Sequence, residues 1–577
     1  MRVIATAGHV DHGKSTLVRR LTGMEPDRWA EERRRGLTLD LGFAWTGIGG
    51  EEVAFVDVPG HERFVPTMLA GAGPAPAVLF VVAADEGWKP QSAEHLAALD
   101  AFGAGHCLLV VTKADRADPA AAAAAAVAEI SRTSLGRPPV VAVSAVTGAG
   151  IEELRTAIGE LTAALPPPDP GADVRLWLDR AFTVKGAGTV VTGTLTAGTI
   201  AIGDELLLGS SRVKVRGLQA LGRASERVPA AARVAVNLRG TARAEVRRGK
   251  VLLAPGAWLT TAELDVRLRG AASADLHREH VLHLGTAAVP VRVRPLGSDT
   301  VRLTLATALP LRVGDRGLLR DPGEHRIAAG FDVLDVRPPR LARRGAARAR
   351  AEDLAAKDLG RGYLRRNGFV PAADLRAMGL PETGDRLGDW CVDPARMTRL
   401  RAEVAEVVEG WHRGHVVAAG MPVETLRQQL GLPAPGLVGP VLAGTGLIVD
   451  GGLVRRPDLG LAPEVDRAVR ALEERFTESP FRAPEADELR ELGLGRRELA
   501  AAVRLGRLSL VAEGVVLGPD AQERAVTALA GLGQPFTVSA ARRALGSTRR
   551  VMIPLLERLD AAGRTEPLGD GTRRVAG

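Results

Sequence analysis

Short apolar runs alternate with helix-patterned segments from the amino terminus to about residue 165. The runs at 3–7, 53–58, 77–83, 107–112 and 140–144 each end in turn chemistry rich in Gly, Asp or Lys and lead into a helix-like stretch. That rhythm predicts a parallel, doubly wound sheet with ligands at the carboxyl ends of its strands. The seven alanines of 120–126, set between Asp118-Pro119 and Glu129-Ile130, read as a surface helix.

The stretch Leu165-Pro166-Pro167-Pro168-Asp169-Pro170-Gly171 is a stiff linker. Beyond it the period shortens to that of strands rich in Val, Thr, Leu and Arg, at 174–178, 188–195, 204–208, 213–218 and 233–238, with a second set from 262 to about 336. No helix-length pattern interrupts them, which predicts two small antiparallel β-barrels meeting near Pro255-Gly256. From about 340 a loose repeat of roughly 60 residues sets in: a long helix, a short helix, an arginine-bearing helix and a glycine-containing ribbon. The third copy is the clearest, with helices at 463–476, 484–491 and 496–505 and a ribbon at 508–517 turning on Glu513-Gly514. In the fourth, helices at 520–532, 538–545 and 548–562 precede a ribbon at 565–575 turning on Gly569-Asp570-Gly571. This is the order of a winged helix-turn-helix, so four tandem modules are expected. The expected boundaries are 1–168, 172–256 and 257–337 for the α/β domain and two barrels, then 340–398, 399–460, 461–518 and 519–577.

Composition narrows the class. Of 577 residues, 46% are hydrophobic and 25% charged, which excludes a chain disordered throughout, and with 3% aromatics the cores must rest on Leu, Val and Ala. Two cysteines, Cys107 and Cys391, cannot build a disulfide framework and favour a reducing compartment. Met1 runs straight into Arg2-Val3-Ile4 with no leader pattern, and the best apolar run, 77–84, is strand-sized, so a cytoplasmic protein with no membrane association is expected. The net charge of +8 comes almost wholly from arginine, since only seven of 76 basic residues are lysine. That balance is compatible with a nucleic-acid partner once its location is known.

The chemistry is concentrated at strand ends. Gly8-His9-Val10-Asp11-His12-Gly13-Lys14-Ser15, followed by Thr16, fits the phosphate-loop pattern directly after a predicted strand and opening a predicted helix. Its glycines let backbone N–H groups curl around phosphate oxygens, Lys14 reaches the terminal phosphates, and Ser15 offers a hydroxyl to Mg²⁺. Asp57-Val58-Pro59-Gly60 follows the next suitable strand, where the carboxylate can hold Mg²⁺ through water and the Gly60 N–H can sense the γ-phosphate. Thr112-Lys113-Ala114-Asp115 ends a later strand, and Asp115 can accept from both the N1–H and the amine of guanine. Ser144-Ala145 can place an N–H on its O6. Adenine offers that aspartate no donor pair, so the expected nucleotide is GTP. Thr38, in Gly36-Leu37-Thr38, is a further candidate Mg²⁺ ligand.

These residues resemble the GTPase domain of translational GTPases, and G-H-V-D-H-G-K-S with D-V-P-G-H is similar to the EF-Tu group. The resemblance implies that His61 orients the attacking water, and that Val10 and Leu37 form an apolar gate holding it away until the ribosome triggers hydrolysis. Thr112 stands where the group usually has Asn, though its hydroxyl can still tie this loop to the phosphate loop. The stretch from Phe182 to Thr194, F-T-V-K-G-A-G-T-V-V-T-G-T, is similar to the opening of the second barrel in factors that carry aminoacyl-tRNA. EF-Tu stops after three domains, whereas this chain continues into winged helices, the plan of the SelB family of selenocysteine-specific elongation factors. The 34–42 stretch, R-R-G-L-T-L-D-L-G, resembles that family more than EF-Tu.

The SelB resemblance implies a factor, taken here as a monomer, that binds GTP and selenocysteinyl-tRNA and delivers it on the ribosome at UGA codons marked by an mRNA hairpin. It places Asp179, Arg180 and Arg233 in the aminoacyl pocket, where arginines would favour a selenolate anion over a neutral serine. The plainer alternative is a surface ion pair between strands; for His61 it is a turn histidine with no chemical role. In the last module, from residue 521, nine arginines face five acids. Arg542, Arg543, Arg549 and Arg550 flank the turn into its third helix, Arg573 and Arg574 lie on the wing, and Ser547 is the expected helix cap. These arginines are candidates for contacts to RNA phosphates and one or two unstacked bases, against the alternative of a solvated basic face. Two other classes compete: another EF-Tu-like GTPase, initiation-factor-like or the GTPase subunit of ATP sulfurylase, which lacks the tail, and a winged-helix regulator, which needs no guanine-nucleotide set.

Overall fold

The computed structural model describes residues 1–26, 38–186, 188–415, 418, 420–456, 461, 463–569 and 571–576. Gly36 and Leu37, with Arg34 and Arg35 before them, and Ala187 and Asp570 lie outside the described residues. The chain divides into two compact units, residues 1–384 with 389–391, and residues 385–388 with 392–577.

The first unit opens with strands β1 (Arg2–Ala7), β2 (Gly42–Ile48), β3 (Glu51–Asp57), β4 (Ala77–Ala83), β5 (Cys107–Thr112) and β6 (Val140–Ala142). Their spatial order is β2-β3-β1-β4-β5-β6, parallel except for the β2–β3 pair. Every residue of β4 is buried, which is why it reads as an unbroken apolar run rather than an alternation. The polyalanine stretch lies in the helix Pro119–Ile130, capped by Asp118, with Ala122, Ala126 and Ile130 buried on one face.

Nine strands follow: β7 (Arg175–Val184), β8 (Gly188–Leu195), β9 (Thr199–Ala201), β10 (Glu205–Leu208), β11 (Ser211–Ala220), β12 (Arg223–Ser225), β13 (Arg227–Pro229), β14 (Ala232–Arg239) and β15 (Val251–Leu253). The order β10-β15-β7-β8-β14-β11 closes through β10–β11 into a six-stranded barrel. A second closed barrel, in the order β16-β19-β18-β17-β20-β21, is built from β16 (Thr260–Arg269), β17 (Glu279–Leu284), β18 (Ala287–Pro295), β19 (Thr300–Pro310), β20 (Arg316–Arg320) and β21 (Ile327–Asp335). The alternation in β18, valines inward and arginines outward, is the period of a half-buried strand.

Arginine closes the seams of this unit. Arg175 donates twice to Asp315, at 2.6 Å each, and its guanidinium lies 4.4 Å from the Trp258 ring centre. Arg269 donates to the Ala101 carbonyl at 2.7 Å, beside Gly330, where a Cβ would come within 2.3 Å of that same oxygen. The helices Ala346–Leu354 and Leu359–Asn367 sit against the second barrel through a buried network. Asp265 accepts from Arg302 and Arg350, each at 2.7 Å, while Asp335 accepts from Arg350 and, at 2.9 Å, from Arg366.

In the second unit the order helix, short helix, helix, ribbon recurs. It begins with Pro394–Gly414, Val423–Gln429 and Val438–Leu442, so the opening helix starts at Pro394 and the expected boundary at 399 falls inside it. Asp393 caps that helix ahead of a proline, the signal that marks the start. Next come Pro463–Glu478, Ala486–Glu491 and Arg496–Arg504 with the ribbon Ser509–Ala512 and Val515–Leu517. Last are Ala521–Ala530, Val538–Ala544 and Arg549–Ala561 with the ribbon Thr565–Pro567 and Thr572–Val575. The last two sets share one core, in which Val511 and Val516 join Leu555 and Leu559.

Removing Arg350 strips one cation from both Asp265 and Asp335 and leaves each with a single arginine, so the cost lies below the figure of about 3–5 kcal/mol for a fully broken buried pair. Arg350→Ala is therefore expected to lower amide-exchange protection in β16 and β21 by a corresponding amount, whereas Arg348→Ala, on the solvent side of the same helix, leaves it unchanged. Equal protection in both variants would contradict the network's role.

Candidate functional site

The loop after β1 is shaped by contacts that exclude side chains. Gly8 has φ of +130°, and a Cβ there would stand 2.1 Å from the Val81 carbonyl oxygen. Gly13, at φ +81°, hands the chain to the helix Lys14–Thr22. Lys14 folds back so that Nζ donates to the Gly8 carbonyl at 3.0 Å and the His9 carbonyl at 2.8 Å. Gly60 lies directly over this loop, since a Cβ would meet Lys14 Nζ at 2.5 Å and the Val10 nitrogen at 2.6 Å.

Two histidines brace the loop from behind. His95 Nδ1 accepts the Gly8 N–H at 3.0 Å, and burial, with smaller contributions from Lys14 and His9, pushes its pKa down to about 3. His12 is also buried, with Nδ1 3.3 Å from the Val81 carbonyl, and burial lowers it to about 4. Both rings stay neutral at ordinary pH, so neither adds positive charge beside Lys14.

Ser15, Thr38 and Asp57 converge. Ser15 Oγ donates to Asp57 Oδ2 at 2.6 Å and stands 2.9 Å from Thr38 Oγ1. Thr6 Oγ1 donates to Asp57 Oδ1 at 2.8 Å and accepts the Val58 N–H, which fixes the carboxylate at the end of β3. Two hydroxyls and one buried carboxylate make a hard-oxygen donor set that fits Mg²⁺. His61 caps the short turn Glu62–Phe64, with Nδ1 accepting the Arg63 N–H at 3.2 Å. That bond commits Nδ1 and leaves Nε2 for a water or a substrate.

At the other end of the sheet, Thr112 Oγ1 donates to the His12 carbonyl at 2.6 Å, a direct tie between β5 and the phosphate loop. Lys113 takes φ of +57° and pairs with Glu86 at 2.7 Å and Asp85 at 3.3 Å. Asp115 is open to solvent, and a hydrogen bond from Ser144 holds its carboxyl below the usual range. Ser144 is itself buried and accepts the Thr147 N–H at 3.1 Å, just ahead of Ala145.

The residues expected in an aminoacyl pocket face the first domain. Asp179 on β7, Thr192 on β8 and Arg233 on β14 form one hydrogen-bonded cluster on three neighbouring strands. Arg233 grips both oxygens of Asp179 and lies 3.8 Å from the ring centre of Phe43 on β2. The pair is largely withdrawn from solvent, with side-chain exposures of 12% and 5%, and it is an ion pair between strands β7 and β14. Arg180 donates to Asp40 at 3.1 Å and the Leu41 carbonyl at 2.9 Å, with its guanidinium 5.7 Å from the same Phe43 ring. A cavity of about 180 Å³ lies here, lined by Phe43, Trp45, Arg180, Phe182, Gln219 and Arg233 among others. Phe43, Thr192, Asp40 and His95 were not legible as site residues, since each belongs to an ordinary strand, turn or helix pattern.

In the tail, Arg542, Arg543, Arg549 and Arg574 are exposed. Arg550 is not available in the expected way: it donates to the Pro484 carbonyl at 2.8 Å, pairs with Glu485 at 3.2 Å and reaches the Gly514 carbonyl, fastening the last two modules together. Arg573 is held by Asp560 at 2.8 Å. Ser547 is no helix cap either. Its hydroxyl donates to the Phe481 carbonyl at 2.6 Å, and Thr548 occupies the cap position.

A guanine-nucleotide site on an α/β domain, two closed barrels and a winged-helix tail define a translational GTPase of the EF-Tu class. Residues 1–164 match the family described as Elongation factor Tu GTP binding domain, and residues 527–574 match Elongation factor SelB, winged helix. The selenocysteine-specific elongation factor of Desulfomicrobium baculatum is 38% identical over 351 residues, covering 58% of this chain and 55% of that protein. That of Escherichia coli (strain K12) is 35% identical over 454 residues, covering 74% of this chain and 73% of its own length. The crystal structure of a bacterial selenocysteine-specific elongation factor, EF-Sec, superposes with a TM-score of 0.74 at 26% identity, covering the whole of both chains. The chain belongs to the family of selenocysteine-specific elongation factors, and it is a GTPase. Among the described residues no helix is long and apolar enough to cross a membrane.

His95 gives this site a pH signature. Its pKa falls from 6.5 to about 3 on folding, so its contribution to stability is complete above pH 6.5 and is lost as pH drops from there toward 3. From about pH 7.5 to pH 5 the loss is about 2 kcal/mol. In denaturant titrations at both pH values, His95→Asn, which keeps an acceptor for Gly8 but does not titrate, should shrink the difference by that amount. An undiminished difference would remove His95 as its source.

Proposed function

We propose that this chain carries selenocysteinyl-tRNA to the ribosome at UGA codons followed by an mRNA hairpin, hydrolysing GTP on arrival. The observation that carries the reading is the pocket between the first barrel and β2, where two arginines on aromatic walls flank a cavity of amino-acid size. At neutral pH a selenol is an anion where a serine hydroxyl is neutral, and a planar guanidinium held by Asp179 and Thr192 is pre-set to meet it.

The phosphates of GTP belong in the loop from Gly8, His9, Val10, Asp11 and His12 to Gly13, against Lys14, Ser15 and Thr16, with the guanine read by Asp115, Lys113, Ser144 and Ala145 and the loop steadied by Thr112. Mg²⁺, held by Ser15, Thr38 and Asp57, would neutralise developing charge on the phosphates. The Gly60 N–H senses the γ-phosphate, a role its position against Lys14 and Val10 supports. His61, its Nδ1 committed to the backbone, presents Nε2 to align the attacking water, and Val10 is one wall of the gate around it. The tail acts as four winged-helix modules. Arg542, Arg543, Arg549 and Arg574 touch the hairpin phosphates, while Arg550 and Arg573 hold the scaffold. The protein works in the cytoplasm as a monomer.

Two measurements test this. Affinities for selenocysteinyl-tRNA and seryl-tRNA, compared in the GTP-bound form, should differ strongly in the wild type and approach each other by about tenfold or more in Arg180→Ala and Arg233→Ala, the worth of a charge-assisted hydrogen bond. Unchanged discrimination in both variants would sink the pocket assignment. For the hairpin, replacing Arg542, Arg543 and Arg549 together by alanine should flatten the plot of log affinity against log salt by about two units. An unaltered slope would place the RNA elsewhere.

A further inference from the structure

Six residues span the distance between the metal-ligand cluster and the aminoacyl pocket. Thr38 stands against Ser15, and two residues later the Asp40 carboxylate accepts from two arginines of the first barrel, Arg180 at 3.1 Å and Arg248 at 2.5 Å. Leu41 then offers its carbonyl to Arg180, and Phe43 lies under Arg233 and 5.7 Å from Arg180.

Arg248 contacts a second segment as well. Its Nη1 donates to Thr67 Oγ1 at 2.9 Å, in the helix Val65–Ala72 that follows Gly60 and His61, and its Nε reaches the Asp179 carbonyl at 3.2 Å. One guanidinium thus touches the chain after Thr38, the chain after His61 and the strand that holds the pocket aspartate. Each contact uses a different nitrogen of the planar fork, a spread that the single nitrogen of an ammonium does not have.

We propose that Asp40 and Arg248 are positioning residues that make the aminoacyl pocket dependent on the nucleotide state, by fixing Arg180 only while the segment from Thr38 to Asp40 is held at the phosphate site. This rests on the pocket reading above. A change of nucleotide reaches the tRNA through these bonds because any shift of Thr38 or of the Gly60 segment breaks a charge-assisted contact to Arg248 or Arg180. By linkage the same bonds make bound tRNA favour GTP over GDP by an equal factor.

The test uses the full chain with a non-hydrolysable GTP analogue or with GDP, and measures the affinity for selenocysteinyl-tRNA in each. The readout is the ratio of the two affinities, which a general loss of stability does not move. Asp40→Asn and Arg248→Met should each lower the ratio at least tenfold, and the double variant should lower it no further than the worse single one, because both break the same link. The preference for the GTP analogue over GDP in the presence of tRNA should fall by the same factor. If the wild type shows no preference for selenocysteinyl-tRNA over seryl-tRNA, the pocket reading itself has failed. If the wild type shows that preference and a large ratio while Arg248→Met and Asp40→Asn both keep the ratio within about twofold, the pocket stands and this link is overturned.

Discussion

A guanidinium taken out of water has to be met by oxygen, and the first unit is assembled around that requirement. Asp40 meets Arg180 and Arg248 between the nucleotide-binding domain and the first barrel, Asp315 and Asp173 meet Arg175 and Arg312 between the barrels, and Asp265 and Asp335 meet Arg302 and Arg350 beneath the first tail helices. Lysine can reach two carboxylates, as Lys113 reaches Asp85 and Glu86, but its point charge on a flexible stem lacks the planar fork that fixes a bidentate geometry. Much of the arginine excess is therefore internal fastening rather than free surface charge. Three aromatic residues serve the same joints: Phe43, Trp258 and Tyr363 each lie beside a guanidinium.

This explains which parts of the protein were legible in the sequence. The nucleotide site was, because its constraints are local: Gly8 is needed to clear Val81, Gly13 opens a helix, and Ser15 lies one residue after Lys14. The barrels were legible through strand alternation. What could not be read is the fate of individual arginines, which depends on partners far along the chain. Arg549 and Arg550 are neighbours and both reach solvent, yet Arg550 is also bound to the 483–485 segment and Gly514. Arg180 finds Asp40 across 140 positions. Ser547 has the chemistry of a cap but is drawn to the Phe481 carbonyl by tertiary packing, and the helix that starts at Pro394 was placed late because a loose 60-residue spacing has no sharp boundary.

The same bonds give the pocket its chemistry. Arg233 is largely withdrawn from solvent, and its pairing with Asp179 keeps it from being an unpaired charge when the pocket is empty. A neutral side chain gains little from such a site, while an anion gains a rigid, desolvated partner. The nucleotide domain supplies the opposite wall through Phe43, so the pocket exists only where two domains meet.

In the proposed function one chain couples guanine-nucleotide hydrolysis to hairpin-directed insertion of selenocysteine. Reconstituted translation of a message with one in-frame UGA, containing this protein, GTP and selenocysteinyl-tRNA, tests it most directly. The account predicts full-length product carrying selenocysteine when a cognate hairpin follows the codon, and termination when the hairpin is deleted or GTP is replaced by GDP. Equal read-through with and without the hairpin, or none with every component present, would contradict it.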